Sequence, residues 1–165
     1  MEGLTVIELR KITSENFEEC IRLDLTEEQQ KYVASNAYSL SEAYALLNDG
    51  KYIPMPYAIY NDDIMVGFIM AEYQPIDEDD PEDDENVYYL PRLMIDKRYQ
   101  GNGYGKKAML KMIEIMRTFP YGEAEAVVLS CSRENTAAYE LYKSLGFVDT
   151  GEFDEAGDAY LRLEL

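Results

Sequence analysis

The chain has 165 residues, a formal net charge of −18 and no histidine. That length suits one domain, residues 1–165, with a proper core, and an apolar share of 47% excludes a disordered chain. The charge disfavours nucleic acid and anionic membrane as partners and favours small cations, and the missing histidine removes His-based triads, His zinc ligands and imidazole bases.

The opening residues 1–10 lack a basic region followed by an apolar core, so no signal peptide is expected. Residues 5–10 alternate apolar and polar and read as a first strand. Ser14 is a good N-cap for a helix through about Leu23. Thr26, Glu27 and Glu28 open a second helical stretch to about Asn36, with acids in its first turn suiting the helix dipole. Ser39 or Ser41 caps a short helix through Leu47, stopped by Asn48, Asp49 and Gly50. Residues 57–60 and 65–73 are β-rich, flank Asn61-Asp62-Asp63 and read as an antiparallel hairpin. Gly67 within it marks a bulge or a tight contact. Between positions 77 and 85 every residue but Pro81 is acidic, which reads as a solvated loop.

Residues 87–96 form a central strand interrupted by Pro91, which cannot donate to a sheet ladder and marks an edge or bulge. The segment Q-G-N-G-Y-G-K, residues 100–106, follows that strand and opens a helical pattern over 107–117. Its glycines allow a tight bend and close approach of a ligand. A helix N-terminus behind them points free N–H groups and a positive dipole end into the bend. This is a site for a phosphate or pyrophosphate, or else a plain helix-initiating turn. The spacing is not that of a P-loop: Gly101 is one residue too close to Gly105-Lys106, and Lys107 stands where Ser or Thr would hold magnesium. Nor does it complete a dinucleotide fingerprint, since Lys106 replaces the third glycine. Residues 126–131 read as the next strand and 134–145 as a helix with Asn135 near its start and Gly146 as its stop. Residues 147–153 and 159–165 close the chain as a strand pair.

The pattern Q-x-x-G-x-G, met by Gln100, Gly103 and Gly105, resembles the acetyl-coenzyme A pyrophosphate loop of the GNAT family of N-acetyltransferases. The segment N-T-A-A-Y-E-L-Y-K-S-L-G-F, residues 135–147, is similar to that family's next motif, and order and spacing agree. The resemblance implies an α/β (α+β) fold: a mixed, mostly antiparallel sheet of about six to seven strands, splayed at its centre and flanked by about four helices. It implies acetyl-coenzyme A as cosubstrate, with no metal. The coenzyme site would comprise Met94 and Ile95 at a strand end, Gln100, Gly101, Asn102, Gly103, Tyr104, Gly105 and Lys106 in the loop, and Asn135. Seven residues turn an α-helix by about two turns, so Asn135 and Tyr142 share a face. In the family the asparagine bonds the pantetheine arm and the tyrosine protonates the departing thiolate. Tyr142 suits that role because a phenol of pKa ~10 keeps its proton at neutral pH; otherwise it is a buried aromatic, as Tyr139 is expected to be.

Some family members carry a glutamate base on the central strand, and this chain has none between Val87 and Ile95. Glu72 and Glu28 are the candidates to take the substrate's proton or hold its amine, or are surface carboxylates. Cys131 suggests a rival route through an acylated thiol, but without histidine nothing activates it, and a buried strand-end cysteine is the simpler reading. Cys20 and Cys131 lie far apart in no metal spacing, which suits a reduced, cytoplasmic setting. Residues 29–39 and 88–105 resemble the spermine/spermidine branch. The expected substrate is therefore a small cationic amine, foremost spermidine or spermine, bound by ion pairs and cation–π contacts. Another amine (an antibiotic, an amino acid, a protein amine) and a non-catalytic acyl-coenzyme A or polyamine sensor are the alternatives, and a homodimer is possible.

Overall fold

Where the hairpin was expected, two long strands run antiparallel, β2 (Ile53–Asn61) and β3 (Ile64–Gln74), turning at Asp62 and Asp63. The computed structural model describes residues 6–80 and 84–165. Thr5 and the middle of the acidic run, residues 81–83, lie outside the described residues. The other strands are β1 (Ile7–Lys11), β4 (Val87–Ile95), β5 (Ala126–Cys131), β6 (Val148–Phe153) and β7 (Ala159–Glu164). They form one sheet in the order β1-β2-β3-β4-β5-β7-β6. Only β4 and β5 run parallel among these neighbours.

Residues 65–73 of β3 are buried on both faces because helices cover both. On one side α3 (Tyr104–Arg117) places Met109, Met112 and Met116 against Ile69, Tyr88, Val127 and Leu129. Methionine suits that seam because its unbranched chain fills irregular gaps. The helix α4 (Thr136–Ser144) joins the same layer through Tyr142, which meets Phe147 edge-on. On the other side α1 (Phe17–Arg22) and α2 (Asn36–Asp49) set Cys20, Leu23 and Ala43 on Ala58, Phe68, Met70 and Met94.

Three helix boundaries differ from the sequence expectation. Asn16, not Ser14, precedes α1; its side chain is spent on the turn before, accepting from the Thr13 N–H at 2.7 Å. The expected helix over 26–36 is one 3-10 turn, Gln29–Lys31. The start signal is real: Thr26 and Gln29 exchange side-chain bonds with each other's backbone N–H groups as a capping box does. The turn cannot extend, because Ser35 is already extended and caps the next helix. The hydroxyl of Ser35 accepts from the Tyr38 N–H at 3.1 Å. Ser39 and Ser41 therefore fall inside α2, not at its cap, and donate back to the carbonyls of Ser35 and Ala37. That leaves α2 running from Asn36 to Asp49, with Gly50 in the left-handed conformation as its stop.

Two irregularities shape the centre of the sheet. Met70 pairs with Arg92 and Glu72 with Tyr89, so Leu90 and Pro91 together oppose Ala71. Pro91 thus sits in a bulge of β4. Pairing of β4 with β5 stops at Tyr89 and Val128. From there the two strands separate. Gly67 is the tight contact: a Cβ there would overlap the Met94 carbonyl oxygen and stand 2.8 Å from Ile95 Cδ1.

Candidate active site

The separation of β4 from β5 opens a groove of about 330 Å³. One wall is the strand end at Leu93, Met94 and Ile95, and the other is the face of α4 carrying Asn135, Ala138, Leu141 and Tyr142. The glycine loop closes one end, with Gly101 at φ 83° and Gly103 at φ 78°. Both angles lie in the left-handed region that glycine enters without strain. Open space surrounds the point where a Cβ would stand at each. Gly103 caps α3, so the loop lies at the positive end of that helix.

The expected coenzyme residues divide into three groups. Gly101, Gly103, Gly105, Tyr104, Met94, Ile95 and Asn135 line the groove. Asn135 makes no side-chain capping bond to α4, which leaves its amide for a ligand. Asn102 instead shapes the loop, and Gln100 does so while also lining the groove. Asn102 donates to the Tyr99 carbonyl at 2.9 Å, and Gln100 to the Ile95 carbonyl at 2.9 Å. Lys106 is exposed on the first turn of α3. Tyr104 is held by a bond from the Asn61 amide at 2.9 Å, tying the hairpin end to the loop.

Tyr142 is 8% exposed and borders both the groove and a second cavity of about 370 Å³. Burial first, then nearby Cys131, pushes its phenol well above the ordinary value. Tyr139, one turn earlier, is differently employed. Its hydroxyl donates to Asp149 at 2.8 Å, beside Arg133, and fastens α4 to β6. Burial also pushes the Cys131 thiol up to about 11. That disfavours the thiolate an acyl-cysteine route would need.

The second cavity is walled by Lys31, Tyr32, Val33, Pro91, Ser130 and Asp158, and shares Asn135 and Tyr142 with the groove. Glu28 is exposed beside the 3-10 turn; the neighbouring residues Gln29, Lys31, Tyr32 and Val33 supply the cavity walls instead. Glu72 is 7% exposed and paired across from Tyr89. Burial raises its pKa, against a bond from Gln74 at 2.8 Å; Glu42 adds to the rise and Arg92 opposes it. Arg92 in turn donates to Ser39 at 3.0 Å and pairs with Glu42 at 3.6 Å. The Tyr89 hydroxyl and Ser130 are hydrogen-bonded at 3.1 Å, linking the neighbourhood of Glu72 to the cavity wall. Gln29, Tyr32, Ser130 and Asp158 were not singled out from the sequence. The resemblance of residues 29–39 to the spermine/spermidine branch marked the stretch holding Gln29 and Tyr32 without assigning either residue a role, and the capping box at Thr26 and Gln29 says where a turn starts, not what the turn walls.

A splayed sheet with a glycine loop at a helix N-terminus and a buried tyrosine at the mouth of the splay defines an acyltransferase class. The chain belongs to the acetyltransferase (GNAT) family, whose model matches residues 8–147. It is 28% identical over 159 residues to the spermine/spermidine N(1)-acetyltransferase of Bacillus subtilis, covering 96% of this chain and 99% of that one. Among solved structures, the spermidine N-acetyltransferase of Vibrio cholerae, bound to CoA and spermine, superposes with a TM-score of 0.68 at 15% identity. That match covers 96% of this chain and 94% of the other. An aminoglycoside acetyltransferase in complex with coenzyme A gives 0.69 at 18% identity, covering 96% and 95%.

Proposed function

We propose that this chain is an acetyl-coenzyme A-dependent N-acetyltransferase of a small polycationic amine, foremost spermidine or spermine. One observation carries the reading: the groove and the second cavity meet at Tyr142. A cosubstrate lying along one therefore faces an amine entering by the other. The groove fits a coenzyme, since its open left-handed glycines admit a pyrophosphate and Asn135 has an uncommitted amide. The coenzyme supplies an acyl thioester. Backbone N–H groups of β4 beyond Tyr89, freed from β5 by the splay, polarise the carbonyl. Tyr142, kept protonated by burial, gives its proton to the departing thiolate.

The amine must arrive neutral or lose a proton at the site. Glu72, whose pKa burial raises, is the candidate acceptor, with Tyr89 and Ser130 between it and the cavity. A polyamine is favoured by the full-length likeness to the Bacillus subtilis relative and by the excess negative charge of the chain. The test is a panel of amines with acetyl-coenzyme A and a free-thiol readout. Turnover of spermidine or spermine above monoamines, aminoglycosides and peptides is the expected result. Activity on an antibiotic or peptide alone would keep the mechanism and replace the acceptor.

A further inference from the structure

The side chains of Gln29 and Gln100 face each other head to head. Gln100 Nε2 donates to Gln29 Oε1 at 2.9 Å, and Gln29 Nε2 donates back to Gln100 Oε1 at 3.1 Å. The second proton of Gln100 Nε2 reaches the Ile95 carbonyl at 2.9 Å, and Gln29 Oε1 also accepts from the Thr26 N–H at 3.3 Å. The two amides form a closed ring whose remaining capacity anchors each partner to its own backbone. The pair is partly buried, where water competes less for such bonds. One partner immediately precedes Gly101 of the glycine loop. The other begins the 3-10 turn, and the residues after it, Tyr32 and Val33, wall both the groove and the second cavity.

Local ties also hold the turn: the capping box of Thr26 with Gln29, and the Gln30 side-chain amide donating to Asp24 at 3.2 Å and to the Leu25 carbonyl at 3.3 Å. The turn is three residues long, and its C-terminal capping bond runs from the Tyr32 N–H to the Gln29 carbonyl at 3.0 Å. So short a helix is not stable by itself. Its position depends on ties to the rest of the molecule. The longest-range of these starts at Gln29 and ends in the loop that would hold pyrophosphate. We infer that Gln29 is a positioning residue: its amide pair with Gln100 makes occupancy of the glycine loop set the wall of the amine cavity. Coenzyme at the loop restrains Gln100, Gln100 restrains Gln29, and the turn then holds Tyr32 and Val33 against the amine. Such coupling is reciprocal, so bound amine also tightens coenzyme binding.

This inference rests on the groove being a coenzyme site, so the experiment tests that first. Calorimetry measures coenzyme A binding to the wild type and to Gln29→Met, which keeps the bulk of the side chain and removes both amide bonds. Hydrogen exchange then follows residues 29–33 with and without coenzyme A. The expected result is slower exchange of the Tyr32 amide on adding coenzyme A to the wild type, and little slowing in Gln29→Met. In steady state, KM for the best amine of the panel rises at least about fivefold in Gln29→Met, the lower end of typical coupling. Its kcat falls by less than its KM rises, because Gln29 lines the groove but is given no part in the chemical step. Gln29→Glu, which keeps the acceptor and loses the donor, falls between the two. In the double variant with Gln100→Met, the Gln29 change has no further effect on the amine KM. Coenzyme-dependent protection in Gln29→Met equal to the wild type would overturn the clasp, as would additive effects in the double variant. Failure of the wild type to bind coenzyme A would overturn the functional reading beneath it.

Discussion

At the scale of single residues, two buried side chains have opposite relations to their surroundings. Tyr142 is buried and stays neutral, so its burial costs little while it keeps a proton to give. Tyr142→Phe preserves the ring packed on Phe147 and removes the donor. We expect kcat to fall by at least ~10²-fold with coenzyme affinity and melting temperature nearly unchanged. Near-normal single-turnover rates would show that another group protonates the thiolate. Glu72 is buried, and burial disfavours its charged form. Its folded pKa lies above the ordinary carboxyl value, so the folded state binds the proton more tightly than the unfolded state. Its contribution to stability is therefore greatest below the unfolded pKa and is lost as pH rises through the folded one. Glu72→Gln should be more stable than the wild type at neutral pH in urea titrations, and the gain should vanish in acid. If Glu72 also takes the substrate's proton, the same variant loses kcat/KM while gaining stability. A merely structural carboxylate would change stability alone.

At the scale of elements, the glycine loop could be picked out by its turn chemistry, and Asn135 and Tyr142 by their resemblance to a family motif, because each lies in a local pattern. Turn chemistry, a cap position and a seven-residue helical spacing are all written within a few residues of one another. The wall of the second cavity could not, because its residues come from the 3-10 turn, the bulge of β4, the end of β5 and the loop before β7. No local period joins them. The misplaced start of α2 has the same origin. Ser35, Ser39 and Ser41 are equally good caps by residue type, and the extended backbone at Ser35 decides among them. Gly67 connects two elements directly, since it lets the β4 carbonyl of Met94 approach β3. Gly67→Ala forces those strands apart at the end of β4 that lines the groove. It should cost about 1–3 kcal/mol in chemical denaturation. It should also raise KM for acetyl-coenzyme A more than it lowers kcat. Unchanged stability would mean that the strand pair yields more easily than its geometry implies.

At the scale of the whole molecule, the excess of acids acts through the field it creates. A net charge of −18 attracts a polyamine over distances set by salt. KM for spermine should rise with ionic strength, more steeply than KM for a monoamine, with kcat little affected. Equal salt slopes for the two would remove steering from the account. Part of the acidic run is already engaged, since Glu85 pairs with Arg162 of β7. Neutralising the exposed acids at positions 77–80 should raise the amine KM without abolishing turnover.

The sequence by itself determined the sheet-and-helix alternation, the glycine loop opening a helix, and the pairing of Asn135 with Tyr142 on one face. These follow from backbone sterics and helical period, which act between near neighbours. Only the tertiary structure decided that Gln100 clasps Gln29 within the groove wall, that Glu72 is buried, and that Pro91 lies in the bulge where the sheet parts. Those outcomes depend on which side chains packing brings within a few ångströms across about seventy residues of chain. Packing selects them through burial and hydrogen-bond satisfaction, which belong to the assembled molecule.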